Sequence, residues 1–237
     1  MKNNPAVLIT GASGGIGSSL AEILLEAGWQ VFGTYHSSPG GVPDECEKIE
    51  CDFSRPQPAA HSLRNQIENS RKSLQALVHC AGITRGQPLH SLEPSDWKLI
   101  RKIHLDASFS LARQFYNHLA DTGEPGHLVL ISSRLGLQGK AGQANYSAAK
   151  SALLGLTTSL AAEWAPKVLV NAIQPPLTDS KMTREIAPEK MPEVMQPVLS
   201  GQIARPDQTA RLIHWLLETD NTSGQLISAD NRIHSLW

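Results

Sequence analysis

Three side chains in the stretch VLISSRLGLQGKAGQANYSAAK, residues 129–150, could exchange a proton with an oxygen atom: Ser133, Tyr146 and Lys150. Tyr146 and Lys150 are four residues apart, so on a helix they share one face. A free phenol titrates near ~10. An ammonium beside it favours phenolate and predicts a pKa drawn down toward working pH. Ser133 precedes Tyr146 with an S-x12-Y spacing and offers a hydroxyl to orient the same oxygen. Together the three suit acid–base chemistry on a carbonyl or an alcohol.

The elements that must position them follow from the hydrophobic pattern. HLVLISS reads as a strand, and residues 145–165 read as a helix rich in Ala, Ser and Leu. Upstream, PAVLIT (5–10) is a short apolar run, as in a strand buried on both faces. GASGGIG (11–17) follows at once. SSLAEILLEAG then places Leu20, Ile23, Leu24 and Ala27 at helical period and closes on Gly28. WQVFGTY (29–35) gives a second strand. Further strands are expected within 46–53, 74–82, 167–174 and 225–230. Further helices are expected at 56–71, at about 94–119 as one long element, and at 207–219. Residues 175–200, with several prolines and methionines, are expected to be irregular. Strands and helices alternate without a compositional break. The pattern predicts α/β architecture: a single Rossmann-type doubly wound domain over 1–237, with a mostly parallel seven-stranded sheet and helices on both faces.

The turn after the first strand reads T-G-x-x-x-G-x-G, with Gly11, Gly15 and Gly17. Glycines there permit a tight turn, close backbone approach to a pyrophosphate, and packing of helix on strand. The helix N-terminus then presents orphan N–H groups to phosphate. NAD sites commonly place an acid at the end of the second strand. Here that position holds Thr34, Tyr35, His36 and Ser37, and no acid lies between Glu26 and Asp44. A carboxylate would repel a 2′-phosphate, whereas hydroxyls and an imidazole would not. The expectation is NADP(H) in preference to NAD(H).

Composition narrows the partners. Of 237 residues, 41% are hydrophobic and 18% charged, which suits a chain with a substantial core. Net charge is −1 and no long basic run occurs, so nucleic acid and anionic membrane are poor candidates. No stretch approaches the ~20 apolar residues of a membrane span. The apolar run at the start is too short for a signal-peptide core. Cys46, Cys51 and Cys80 lack metal-ligand spacing and read as reduced, buried thiols, so a cytoplasmic location and no metal are expected.

Taken in order, TGASGGIG, the S-x12-YSAAK spacing, LVHCAGIT (77–84) and VLVNAIQPPLTDSKMT (168–183) make the chain resemble the short-chain dehydrogenase/reductase family, nearest its 3-oxoacyl-[acyl-carrier-protein] reductases. The likeness covers nearly the whole chain. It implies that Gly11, Ser13, Gly15, Ile16 and Gly17 line the pyrophosphate. It places Tyr35 and His36 at the adenosine end, Asp52 and Phe53 against the adenine, and Ala81 and Gly82 beside the ribose. Pro175 and Leu177 approach the nicotinamide. Ser133, Tyr146 and Lys150 become catalytic, and Lys150 also binds the nicotinamide ribose with Tyr146 beside it. The resemblance further implies a homodimer or homotetramer built on the surfaces of 94–119 and 145–165, and a place in fatty acid biosynthesis.

Four departures stand out. His104 occupies the position of the family's helix Asn, and His79-Cys80 that of its two turn Asn residues. Pro175-Pro176 replaces Pro-Gly, and Asp230-Asn231-Arg232 replaces Asp-Gly-Gly. In the family that Asn helps hold a proton-relay water through its carbonyl. His104 keeps a carbonyl and could itself pass protons near neutral pH, so it joins the catalytic set. Residues 177–200 read as a lid over substrate. Arg134 and Lys140 flank the entrance, where solvated loop charges are favoured over contacts to an acidic or carrier-bound substrate. The function expected is NADPH-dependent reduction of a 3-oxoacyl thioester or similar ketone. A pteridine reductase-like enzyme and a non-catalytic NADP(H)-binding regulator are the alternatives.

Overall fold

A computed structural model describes residues 4–70 and 72–232. Seven strands make one sheet: β1 (Ala6–Thr10), β2 (Gln30–Tyr35), β3 (Glu47–Glu50), β4 (Leu74–His79), β5 (Gly126–Ile131), β6 (Val168–Gln174) and β7 (Leu226–Ser228). Their spatial order is β3-β2-β1-β4-β5-β6-β7, and every pairing is parallel. The order reverses beside β1, which opens a crevice at the carboxyl edge between β1 and β4.

Alternation of side chains along β1 assigns the two faces. Val7 and Ile9 pack with Leu20, Ala21 and Leu24 of α1 (Gly15–Glu26) and with Ala210, Ile213 and Leu216 of α9 (Pro206–Glu218). Ala6 and Leu8 turn the other way. That face meets α2 (Pro56–Asn69), α4 (Ala107–Thr122) and α6 (Ala144–Trp164) through Leu63, Ile67, Leu111, Phe115, Leu119 and Leu153. Fully burying each such Leu or Ile contributes roughly 1.5–3 kcal/mol. The sheet is therefore sandwiched between two apolar layers, as the continuous apolar strands require. Gly28, at φ +85°, lets the chain leave α1 for β2 without a Cβ penalty. Pro56 and Pro206 stand at the first turns of α2 and α9, where a missing N–H costs nothing.

Two expectations change. The expected long helix over 94–119 is three pieces: α3 (Pro94–Arg101), a π-helical turn (Lys102–Asp106) and α4. Its apolar positions at mixed three- and four-residue steps already fit a register slip. Residues 175–200 are not wholly irregular. They contain α7 (Lys181–Arg184), a 3₁₀ turn (Pro188–Lys190) and α8 (Met191–Met195). The Ser180 hydroxyl caps α7 by accepting from Thr183 N–H at 3.2 Å. The excursion closes on itself: Thr178 bridges Ala204, with Asp179 N–H on the Ala204 carbonyl at 2.9 Å and Ala204 N–H on the Leu177 carbonyl at 2.8 Å. No helix among the described residues is long and apolar enough to cross a membrane.

Candidate active site and cofactor cleft

Ser133 follows β5, and Tyr146 and Lys150 lie in the first two turns of α6. A short helix, α5 (Leu135–Gln138), lies between them. Leu135 N–H donates to the Ser133 hydroxyl oxygen at 3.2 Å, which holds that side chain in one orientation. α6 is anchored at its start by Asn145, whose Nδ2 donates to the Arg85 carbonyl at 2.8 Å. The Ser133 hydroxyl stands near enough to the Tyr146 phenol to draw its pKa downward. Lys150 is buried. Its Nζ donates to the Ile131 carbonyl at 2.6 Å and stands 5.7 Å from the Tyr146 ring centre.

The electrostatics differ from the expectation for the phenol. Burial pushes the Tyr146 phenol above its ordinary pKa, and the Ser133 hydroxyl offsets this only in part. The ammonium does not bring it down. Lys150 is turned to the Ile131 carbonyl, and burial lowers its own pKa to about 8. The site therefore holds a protonated phenol next to a lysine poised near neutrality. That is the state needed to give a proton to an oxygen.

His104 lies in the π turn, 1% exposed. Its ring meets the Tyr146 ring edge to face, centres 5.2 Å apart. Nε2 is 2.8 Å from the Ile83 carbonyl and 3.3 Å from Ile83 N. One nitrogen cannot serve both. At 2.8 Å from a carbonyl oxygen, a bare lone pair would be repelled, so Nε2 carries the proton and donates. Nδ1 is then an acceptor, buried and without a hydrogen-bond partner. Burial, with the nearby Lys150 charge, holds the imidazole well below its ordinary pKa. Near neutral pH, where His104 is expected to pass protons, its ring is therefore neutral, with one donor and one acceptor nitrogen. Its carbonyl accepts from the Ser108 hydroxyl at 2.6 Å.

At the crevice, the Gly11–Gly17 turn supplies the other half. Gly11 adopts φ +66°, and a Cβ there would lie 2.8 Å from Ala81 Cα. A Cβ on Gly17 would lie 2.4 Å from the Gly11 carbonyl oxygen. These two glycines serve the turn itself and its fit against the chain after β4. The N-terminus of α1 has Gly14 as its cap, with no side-chain cap and no acid in the first turn. Its leading N–H groups and positive dipole end suit a pyrophosphate.

With this geometry, the family can be stated. The sequence matches the family model for short chain dehydrogenase over residues 5–191. The chain belongs to the short-chain dehydrogenases. It is 31% identical to an acetoacetyl-CoA reductase from Allochromatium vinosum, with 94% of each chain covered. It is 30% identical to a 3-oxoacyl-[acyl-carrier-protein] reductase from Vibrio cholerae, with 88% of each covered. Among solved structures, a protein described as an NAD(P)-dependent gluconate 5-dehydrogenase from Beutenbergia cavernae, with bound NADP, superposes with a TM-score of 0.87. It is 27% identical, over 97% of this chain and 96% of that one. A short-chain dehydrogenase is an NAD(P)-dependent oxidoreductase interconverting C=O and CH–OH, and that is the class of this enzyme.

Within this short-chain dehydrogenase, the remaining expected residues fall into place unevenly. Tyr35 ends β2, and the exposed His36 beside it lies 3.8 Å from the Asp52 carboxylate. Asp52 accepts from Ser54 N–H and Ser54 Oγ, both at 2.8 Å, and these bonds keep it below the usual carboxylate range. Phe53 differs from the expectation. Its ring is buried in the core, edge-on to His79 at 5.6 Å, so its backbone alone is left to face an adenine. Ala81 N–H donates to Thr10 Oγ1 at 3.2 Å, which holds the Ala81-Gly82 turn against β1. A Cβ on Gly82 would lie 2.5 Å from His104 Cε1. Ser13 lies within the glycine turn, and Ile16 lies in the first turn of α1. Pro175 and Leu177 follow β6, and Pro176 offers its carbonyl to the Thr178 hydroxyl at 2.9 Å. Gly15 lies under Asp179 and Pro206, so the 178–206 excursion leans over the start of α1. The three cysteines are free, and among the described residues no cluster suits a metal ion. Sequence reasoning missed Asn145 and the Ile131 carbonyl as the partners that seat α6 and Lys150. A buried Asn directly before the Tyr was the available signal for the first; a backbone carbonyl leaves none.

Proposed function

We propose that the protein is an NADPH-dependent carbonyl reductase acting on a 3-oxoacyl thioester or a similar ketone. The observation that carries this reading is the buried Lys150 Nζ held 5.7 Å from the Tyr146 ring, with Ser133 acting on a phenol that burial keeps protonated. The names of the acetoacetyl-CoA and 3-oxoacyl reductases support the substrate class. Bound NADPH supplies the hydride. Tyr146 gives its proton to the substrate oxygen, and Ser133 orients that oxygen. Lys150, titrating near 8, restores the phenol proton and holds the ribose. His104 stands behind Tyr146 as a neutral donor–acceptor that steadies the ring.

Gly11, Ser13, Gly15, Ile16 and Gly17 hold the pyrophosphate; Tyr35, His36, Asp52 and the Phe53 backbone hold the adenosine. Ala81, Gly82, Pro175 and Leu177 wall the remainder. The preference for NADP(H) rests on residues 34–37, which lack a carboxylate, and on Asp52 being engaged by Ser54. Residues 177–200 form the lid of a single domain spanning 1–237. A cytoplasmic homo-oligomer acting in fatty acid synthesis fits the substrate class and the exposed apolar surface of α3 and α4.

The test follows NADPH oxidation with acetoacetyl thioesters, diketones, quinones and dihydropteridines in parallel, repeated with NADH. Acetoacetyl thioesters should be turned over fastest, and NADPH should outperform NADH in kcat/KM. Turnover of dihydropteridines alone, or cofactor binding with no turnover, would sink the reading.

A further inference from the structure

His79 is the last residue of β4, 3% exposed, and both of its ring nitrogens are engaged. Thr10 Oγ1 stands 2.7 Å from Nδ1. That same oxygen accepts the Ala81 N–H at 3.2 Å, so its own proton is available to Nδ1. Nε2 stands 3.2 Å from the Ile103 carbonyl. A carbonyl only accepts, so Nε2 carries the proton. One neutral tautomer satisfies every contact: Ala81 N–H to Thr10, Thr10 O–H to Nδ1, Nε2–H to Ile103.

Ile103 belongs to the π turn, next to His104. A π turn departs from the regular α hydrogen-bond pattern, which leaves some of its carbonyls open to side-chain donors. Here Ile103 is served by His79 and His104 by Ser108. On its other side the same imidazole holds, through Thr10, the Ala81-Gly82 turn assigned above to the cofactor. The imidazole of His79 joins the two elements from the sheet side, in addition to the His104–Ile83 hydrogen bond.

We propose that His79 is a positioning residue that couples the cofactor-facing turn to the π turn behind Tyr146, one ring nitrogen serving each. The inference rests on the proposed function for which side is which. Burial supports it by lowering the pKa of His79 to about 4, so the ring keeps one donor and one acceptor at working pH.

The two nitrogens can be separated chemically. Asn places a polar atom near Nδ1 of His, and Gln places one near Nε2. His79→Asn keeps the Thr10 link and releases Ile103. Loss of one buried hydrogen bond that steadies the transition state predicts a roughly 10-fold lower kcat, with KM for NADPH within about 2-fold. His79→Gln keeps Ile103 and releases Thr10, so KM and Kd for NADPH should rise roughly 10-fold with kcat within about 2-fold. Equal losses in both parameters in both variants, tracking a fall in Tm, would reduce His79 to a core histidine and overturn the proposal. Two readouts do not depend on turnover. NADPH affinity by fluorescence should weaken for His79→Gln and not for His79→Asn, even if no carbonyl in the panel is a substrate. If neither variant folds, nitrogen NMR of the wild-type ring decides: protonated Nε2 with bare Nδ1 supports the coupling, and a protonated Nδ1 overturns it.

Discussion

Gly82 has no side chain in a place where His104 needs the room. A Cβ there would sit 2.5 Å from the imidazole Cε1, closer than such contacts allow. The ring is walled in by Tyr146 and the Ile83 backbone, so it cannot swing clear. Gly82→Ala should therefore cost about 1–3 kcal/mol through overpacking, measured by urea denaturation. Gly82→Ala with His104→Ala should recover most of that loss; an equal loss in the double variant would place the strain elsewhere. At Tyr146 the removal is chemical. Tyr146→Phe keeps the ring against His104 and deletes the proton donor, so kcat should fall about 10²–10⁴-fold with NADPH affinity kept. Steady-state kinetics alongside cofactor titration check this. The trio itself was legible in the sequence because Tyr-x-x-x-Lys spacing dictates a shared helix face. The sign of the phenol's shift was not. It comes from burial of the phenol, which Lys150 does not offset because its Nζ turns to the Ile131 carbonyl, a partner with no signature in residue type.

Among the elements, the end of β4 and the π turn bring two buried histidines to the back of the site. Both are kept neutral by burial. Each has a folded pKa below its unfolded value near 6.5, so the unfolded chain binds more protons in the window between the two. Their contribution is fully present above about pH 6.5 and is lost as pH falls through each folded pKa, for His79 about 4. For His79 alone the gap between 6.5 and about 4 corresponds to roughly 3 kcal/mol. Urea midpoints between pH 7 and pH 4.5 should fall accordingly, with a shallower slope in His79→Asn. Identical slopes would show that other groups govern the acid limb. The alternating strands and helices were legible because continuous apolar runs and helical periods differ in length and spacing. The π turn was not, since one extra residue in a long amphipathic pattern reads as irregular spacing. The short helices α7 and α8 escaped because prolines and methionines masked their few residues.

Over the whole molecule, α3, α4 and α6 leave an apolar surface uncovered. Phe109 is 48% exposed and Trp97 40%. Beside Phe109, a groove of about 520 Å³ runs between Pro56, Pro58, Leu105 and Leu156. The proposed homo-oligomer would bury this face. Phe109→Glu should shift the protein toward monomer in sedimentation velocity, with the far-UV circular dichroism unchanged. An unchanged sedimentation coefficient would leave that face without a partner. The doubly wound, mostly parallel seven-stranded sheet followed from the sequence because alternating strands and helices leave few alternatives. Quaternary contacts did not, because an exposed Phe and an unfinished interface look alike in one dimension.

The π turn carries a constraint of a different kind. Each residue in a helix advances the facing direction by about 100°. The extra residue in 102–106 therefore rotates all of α3 relative to α4. It lets Ile100 face the core while His104 faces Tyr146. Deleting any one residue from 102–106 would restore an ordinary helix and turn one of those faces outward, whatever side chains were left. Apart from His104, this segment should accept many exchanges of residue type and almost no change in length.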